Sequence, residues 1–340
     1  MSAESRPPAQ RQLMAMITSF WAARAIYAAA SLGVADLLKD GRRSAAEMAE
    51  TLAVNSDGLH RLLRALTFVG IFDLDERGGF GLTEMGQYLR SDLPTSLRGH
   101  SLFHGSAWSW QSWSEILYSV QSGQPAGEHV FGLEMFDYLN ERPTEAHAFD
   151  QAMTSTSDSF NYPVVSSYDF SGISKLADIG GGRGSFLAAI LRANPLMRGL
   201  LFEQQATSEG ASVALGAQGL ADRCEFVVGD FFQSVPGGAD AYALKNVLHD
   251  WDDARASKIL QNVRQAMQPG NRLLIVENMI LTENQPSFGM IMDLQMMLVT
   301  PSGRERTVAQ FSLLLVAAGF QFKRLVPTGS SMNVLEAVAI

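Results

Sequence analysis

Between Leu176 and Ser185 the chain reads LADIGGGRGS: an apolar run, then glycines at alternate positions, directly before a second apolar run, FLAAIL. That order calls for a buried strand, a tight turn and a helix. Residues without a Cβ accept positive φ in the turn and let a ligand come close to the backbone, while the first amides of the helix point at it. The spacing is not that of dinucleotide binders, whose fingerprint needs Gly-x-Gly-x-x-Gly, because Ser185 stands where the third glycine would fall. The C-terminal half is thereby constrained to an α/β plan with a nucleoside-binding turn after its first strand.

The rest of that half agrees. After Asp169 short apolar runs alternate with helical patterns, the rhythm of a parallel sheet with crossover helices. Strands are expected at Lys175–Ile179, Gly199–Phe202, Cys224–Val228, Ala239–Leu244 and Asn271–Glu277. Two more, Phe320–Val326 and Val334–Ile340, flank a turn at Pro327-Thr-Gly-Ser. This closing hairpin sets one antiparallel strand into an otherwise parallel sheet.

The N-terminal hundred residues read differently. The stretch Leu13 to Leu38 is rich in Ala, Met and Leu, but Arg24 sits in its middle and Ser, Thr and Tyr interrupt it. It reads as a buried or dimer-facing helix rather than a membrane span, and no short basic leader precedes a cleavage-like site. Ser44-Ala-Ala-Glu47 has the form of a capping box opening a helix to about Leu52. Asp57 is placed to cap a second helix, Gly58 to Val69, ended by Gly70. Ile71-Phe-Asp-Leu, a turn at Glu76-Arg-Gly-Gly and Phe80-Gly-Leu then make a hairpin, completing a winged-helix pattern. Its candidate recognition helix offers Arg61 and Arg64 but also Asp57, so dimerisation suits the segment better than DNA binding.

Composition narrows the partners. The 340 residues are 46% hydrophobic and 18% charged, the balance of a soluble globular protein with room for two domains. A net charge of -9 argues against nucleic-acid and anionic-membrane partners, which reward clustered Lys and Arg. The single cysteine, Cys224, cannot form an internal disulfide and fits a cytoplasmic location. Six scattered histidines show no zinc-like spacing, so no metal is expected. Aromatics such as Trp108, Trp113, Phe131 and Tyr138 crowd the region from about 100 to 162; most serve a core, and a few can line a pocket for a planar ligand.

A doubly wound sheet binds ligand at the C-terminal ends of its strands. The first ends in the glycine loop, with Gly180 and Gly182. The second ends in Glu203, about twenty residues on, where a carboxylate accepts the ribose hydroxyls. The third ends in Gly229-Asp230-Phe231; there a carboxylate or backbone group reaches an adenine amino group while a ring covers its face. The fourth ends in LKNVLHDW, from Leu244 to Trp251.

LADIGGGRG, GDFF, LKNVLHDW and the later GRERT, in this order, resemble the caffeate-type O-methyltransferase family, and with FDQAM at Phe149 to Met153 the likeness covers nearly the whole chain. The alternate-glycine spacing and the terminal hairpin are those of the methyltransferase version of the doubly wound fold. The resemblance implies a seven-stranded Rossmann-like α/β domain with an antiparallel last strand, preceded by a mainly helical winged-helix dimerisation domain. Domains are expected at 1–100 (dimerisation), 101–168 (helical linker and substrate pocket) and 169–340 (S-adenosylmethionine binding). It also implies a homodimer that acts on a hydroxylated aromatic small molecule without a metal.

By the same resemblance His249 matches the general base, and Glu277 and Glu305 match the two acids that flank and orient it. Lys245 matches a lysine close to adenine, Asp230 with Phe231 the adenine pair, and Met153 and Ser157 positions around the methionine part of the cofactor. The chemistry is consistent: a phenol with a pKa of about 10 is a poor nucleophile until a base near pKa 6.5 removes its proton. The acids Asp250, Asp252 and Asp253 sit where a helix should begin and read as capping. Two departures stand out. Glu203-Gln204-Gln205 replaces the usual Asp-Leu-Pro, and Met292-Asp293 replaces His-Asp, with Met296 and Met297 suiting an adaptable apolar pocket. Rival readings are a nicotinamide oxidoreductase, a winged-helix DNA regulator, and a family member that methylates nitrogen or carbon or does not methylate at all. His249 favours oxygen, since an amine needs no base.

Overall fold

A computed structural model describes residues 8–93, 95–281 and 285–340. The chain divides into two compact units, one comprising residues up to Ser106 together with His147–Ser155, the other Ala107–Ala146 with Thr156–Ile340. The expected linker 101–168 is therefore shared between the units, because its long helix Pro143–Ser167 supplies residues to both.

In the N-terminal unit, helices Ala9–Thr18, Phe20–Leu32, Val34–Leu37, Ala45–Leu52 and Ser56–Phe68 accompany a small sheet of β1 (Arg43–Ser44), β2 (Phe72–Leu74) and β3 (Gly79–Leu82), ordered β1-β3-β2. The capping box at Ser44 is present in both directions: the Glu47 amide donates to Ser44 Oγ, and the Ser44 amide to Glu47 Oε2 at 2.7 Å. The next helix begins two residues earlier than expected, at Ser56. Asn55 caps it, its Oδ1 accepting the Gly58 amide at 2.8 Å, while Asp57 lies inside the first turn. Asn and Asp are nearly equal caps, and the extended backbone of Asn55 decides between them.

Val34, Met48, Leu63, Leu66 and Phe80 fill the core of this unit. The helix Ala9–Thr18 buries nothing within the chain, and Leu13, Met14, Met16, Ile17, Phe20 and Trp21 are exposed. The stretch Ala9–Leu32 is long and apolar enough to cross a membrane by length and composition alone.

The C-terminal unit is built on β4 (Lys175–Ile179), β5 (Arg198–Glu203), β6 (Cys224–Val228), β7 (Ala241–Lys245), β8 (Arg272–Glu277), β9 (Phe320–Pro327) and β10 (Asn333–Ala339), in the order β6-β5-β4-β7-β8-β10-β9. Only β10 opposes the others: it pairs antiparallel with both β8 and β9, as the terminal hairpin requires. The central strands are apolar on both faces because side chains alternate and both faces are covered. Leu273 and Ile275 of β8 enter one core, Leu274 and Val276 the other. In β7, Tyr242 and Leu244 alternate in the same way with Ala241 and Ala243.

Sheet order reverses between β4 and β7, which opens a crevice at their C-terminal ends. Parallel pairing of Ile179 with Phe202, Glu203 with Val228 and Lys245 with Val276 brings those ends to one edge.

Ile275 is fully buried in the middle of this sheet. Ile275→Ala is expected to cost about 2–5 kcal/mol by the methyl groups and cavity involved, read as a lower urea midpoint for the C-terminal unit.

Candidate active site

Three loops meet at the sheet edge. After β4 the chain turns through Gly180, Gly182 and Gly184, all at positive φ, into the helix Ser185–Ala193. A Cβ on Gly180 would lie 3.0 Å from Val247 and 3.5 Å from the Phe231 ring, so the loops after β4, β6 and β7 touch there. A Cβ on Gly182 would meet nothing within 4 Å, which leaves that backbone facing open space.

Glu203, the last residue of β5, is held by two backbone amides: Gly182 N donates to Oε2 at 2.9 Å and Gln204 N to Oε1 at 2.8 Å. A carboxylate has about four acceptor sites, enough for two amides and a diol together. After β6, Asp230 Oδ1 accepts the Phe232 amide at 2.8 Å, and the Phe231 ring lies 4.9 Å from Phe232 and 6.2 Å from Trp251.

Lys245 closes β7 and is buried, its Nζ donating to Ser157 Oγ at 2.6 Å. A polar string continues from there: Ser157 donates to Asn161 Oδ1, Asn161 Nδ2 to Ser185 Oγ at 2.7 Å, and Ser185 Oγ to Asp158. Met153 lies one turn before Ser157 on the same helix, in the stretch assigned to the N-terminal unit.

The sequence reading passed over Asp178 as a motif letter. It is buried on the sheet, and neither carboxylate oxygen has a hydrogen-bond partner among the described residues. Burial pushes it up to about 7, against the pull of Lys245. Burial likewise pushes Lys245 down to about 8, against Asp178 and Asp158.

Beyond Lys245, Asn246 takes a left-handed φ of 52° and turns the chain into a short 3₁₀ turn, Leu248–Asp250. His249 is buried there, and its Nδ1 lies 2.9 Å from Glu305 Oε1. Its Nε2 has no hydrogen bond among the described residues, and Asp250 Oδ1 stands 3.6 Å away. Glu277 reaches the same turn differently from what was expected. Its Oε1 accepts the amides of Leu248 at 2.8 Å and His249 at 3.1 Å, so it holds the backbone and leaves the ring to Glu305.

Burial opposes a charge on the His249 ring, but Glu305, Asp250 and Glu277 together outweigh it and raise the ring to about 10. This is not the ordinary imidazole the sequence suggests. Burial pushes Glu277 up to about 7, with His249 and Arg306 pulling the other way. It pushes Asp250 to about 6, against His249.

Of the three neighbouring acids only Asp252 caps the following helix Asp253–Ala266, accepting the Arg255 amide at 2.8 Å. Asp250 belongs to the histidine, because the turn at Leu248–Asp250 comes before the helix and faces Glu305. Asp253 pairs with Arg306. Among the described residues no group of His, Cys, Asp and Glu is arranged to hold a metal.

Sequence reasoning also missed what supports Glu305. Asp293 Oδ1 accepts the Glu305 amide at 2.8 Å, and Gly303 packs against the carbonyl of His249. The GRERT motif was the available signal, but its letters do not say which residue touches what.

Residues 113–321 match the family model of the O-methyltransferase domain, and residues 14–92 that of the O-methyltransferase dimerisation domain. A phenazine O-methyltransferase of Lysobacter antibioticus is 39% identical over 330 residues, covering 97% of this chain and 96% of that one. The solved N,N-8-amino-8-demethyl-D-riboflavin dimethyltransferase of Streptomyces davawensis superposes with a TM-score of 0.86 at 36% identity, over 98% of this chain and 100% of that one. An O-methyltransferase from neocarzinostatin biosynthesis, solved with S-adenosylmethionine and 2-hydroxy-5-methyl naphthoic acid, gives 0.79 at 33% identity, over 94% and 96%.

A Cβ on Gly303 would sit 2.3 Å from the His249 carbonyl oxygen and 2.2 Å from Thr300 Oγ1. Gly303→Ala is therefore expected to cost about 1–3 kcal/mol by overpacking, measured by thermal unfolding, and to displace the His249 turn in a crystal structure of the variant.

Proposed function

Because the chain belongs to the O-methyltransferase family and is an S-adenosylmethionine-dependent enzyme, we propose that it methylates a hydroxyl of an aromatic small molecule with His249 as the general base. One observation carries this reading. Glu305 occupies Nδ1 of a buried imidazole and leaves Nε2 as the nitrogen that can take an acceptor's proton.

The residues at the sheet edge fit the cofactor. Gly182 borders open space beside a pre-oriented Glu203, whose carboxylate has acceptor capacity for a diol. Gly180, Gly182 and Glu203 would hold its ribose, Asp230, Phe231 and Lys245 its adenine, and Ser157 its amino-acid end. Bound S-adenosylmethionine supplies an electrophilic methyl group on a sulfonium.

The protein's part is to align the acceptor oxygen and remove its proton. A phenol titrates near 10, so a ring raised toward that value exchanges a proton with it at little cost, once alkaline pH has removed the proton that Nε2 itself holds at neutral pH. Glu305 then neutralises the imidazolium, and Glu277 keeps the turn in place. The family's members include enzymes named for N-methylation, and an amine acceptor would make the base unnecessary.

The aromatic class follows the phenazine and naphthoate named for the relatives. The bare helix Ala9–Thr18 overlaps the dimerisation match and would be covered by a second copy in a homodimer, in the cytoplasm.

Three measurements test the reading. His249→Ala should bind S-adenosylhomocysteine within about threefold of the parent by calorimetry while losing about 10²-fold or more in kcat, assayed on a panel of hydroxylated phenazines, naphthoates and benzoates; full turnover rejects the base. Glu203→Ala should weaken that binding about tenfold or more, about 1.4 kcal/mol, and unchanged affinity rejects the ribose role. The acid limb of kcat/KM should lie above an ordinary imidazole's titration. Glu305→Gln removes an influence that raises the ring, so it should move that limb to lower pH; a limb that stays put separates Glu305 from the base.

A further inference from the structure

Three consecutive residues grip His249, and only the middle one is a member of the expected site. The Arg304 amide donates to the His249 carbonyl at 2.8 Å, Glu305 holds the ring, and Arg306 reaches around the turn. The Arg306 guanidinium is completely buried. Its Nη1 donates to the Leu248 carbonyl at 2.8 Å, its Nη2 to the Trp251 carbonyl at 2.7 Å, and its Nε to Asp253 Oδ1 at 2.9 Å. Those two carbonyls lie on either side of His249 in the chain.

We propose that Arg306 is a positioning residue that sets the distance between the His249 ring and Glu305 by clamping both ends of the histidine turn; it rests on the reading of His249 as the base. A buried charge persists only where partners offset its desolvation. Here the partners are two main-chain carbonyls and one carboxylate, in the planar fork that a guanidinium presents and an ammonium does not. Asp253 opens the helix Asp253–Ala266, so the clamp also joins the turn to the first residue of that helix. The ring's own charged surroundings are Glu305, Asp250 and Glu277, with Arg306 itself acting on Glu277.

The test reads the ring directly and needs no acceptor. In ¹⁵N-histidine NMR of the full-length enzyme, with His249→Gln to assign the signal, Arg306→Lys keeps the charge but cannot bridge both carbonyls. The turn then relaxes, the contact to Glu305 lengthens, and the His249 pKa should fall by about one unit or more, about tenfold in proton affinity. S-adenosylhomocysteine affinity should stay within about twofold, well inside the 1.4 kcal/mol that a tenfold change represents.

Asp253→Asn loosens one arm of the clamp from the half-exposed side and should give a smaller fall in the same direction. A His249 pKa unchanged in both variants, or in Asp253→Asn alone should Arg306→Lys not fold, overturns the proposal. So does a large loss of S-adenosylhomocysteine binding, which would mark a general structural role. Loss of turnover in His249→Ala bears only on the base, so the two readings fail separately.

Discussion

Glu277 ends β8 without solvent contact and accepts the amides of Leu248 and His249. A carboxylate so buried is tolerated because hydrogen bonds and opposite charges offset its desolvation, here two amides with His249 and Arg306. The contact carries the register of the sheet into the loop beyond it. Lys245 pairs with Val276, the Asn246 amide donates to the Val276 carbonyl, and the chain then reaches Glu277 with Leu248 and His249. Asn246 takes a left-handed φ of 52°, which asparagine tolerates better than most non-glycine residues. Strand pairing, this turn and the two amides on Glu277 together place the imidazole.

The sheet edge holds two electrostatic environments of opposite tendency. Around His249 the carboxylates outnumber the cations, and the ring's proton affinity rises. Around Lys245 burial dominates, so the lysine falls toward 8 while Asp178 climbs toward 7. The difference lies first in the carboxylates that act on each base, three at His249 and two at Lys245, and then in hydrogen bonding. Glu305 touches the imidazole at 2.9 Å, whereas Lys245 donates to Ser157 and Asp178 has no such partner. One pair is joined by a hydrogen bond and the other is not.

Much of this was readable in the sequence because a parallel sheet gathers strand ends at one edge. Finding the apolar runs before Gly180, Glu203, Asp230 and Lys245 also finds the residues that share a crevice. Boundary errors, such as β7 at Ala241–Lys245 against 239–244, leave that conclusion intact. Other features were hidden for physical reasons. β1 is two residues long and has no period to detect. Asn55 and Asp57 are equivalent caps until the backbone is known. Arg306 depends on contacts across more than fifty residues of chain, which no local pattern reveals.

The same arrangement bears on which atom is methylated. A neutral amine is already nucleophilic, so a site devoted to nitrogen gains nothing from a base; a hydroxyl acceptor gains about 10²–10⁴-fold. Against that gain stands the cost of burying an imidazole, several carboxylates and a guanidinium in one cluster, where apolar residues of similar volume are often more stabilising. Departures from the most stable packing concentrate where a protein's chemistry requires them. His249 has one nitrogen fixed by Glu305, its amide fixed by Glu277, its carbonyl fixed by Arg304 and the flanking carbonyls fixed by Arg306. Such investment in the orientation of a single ring supports the proposed role of His249 in removing a proton from oxygen.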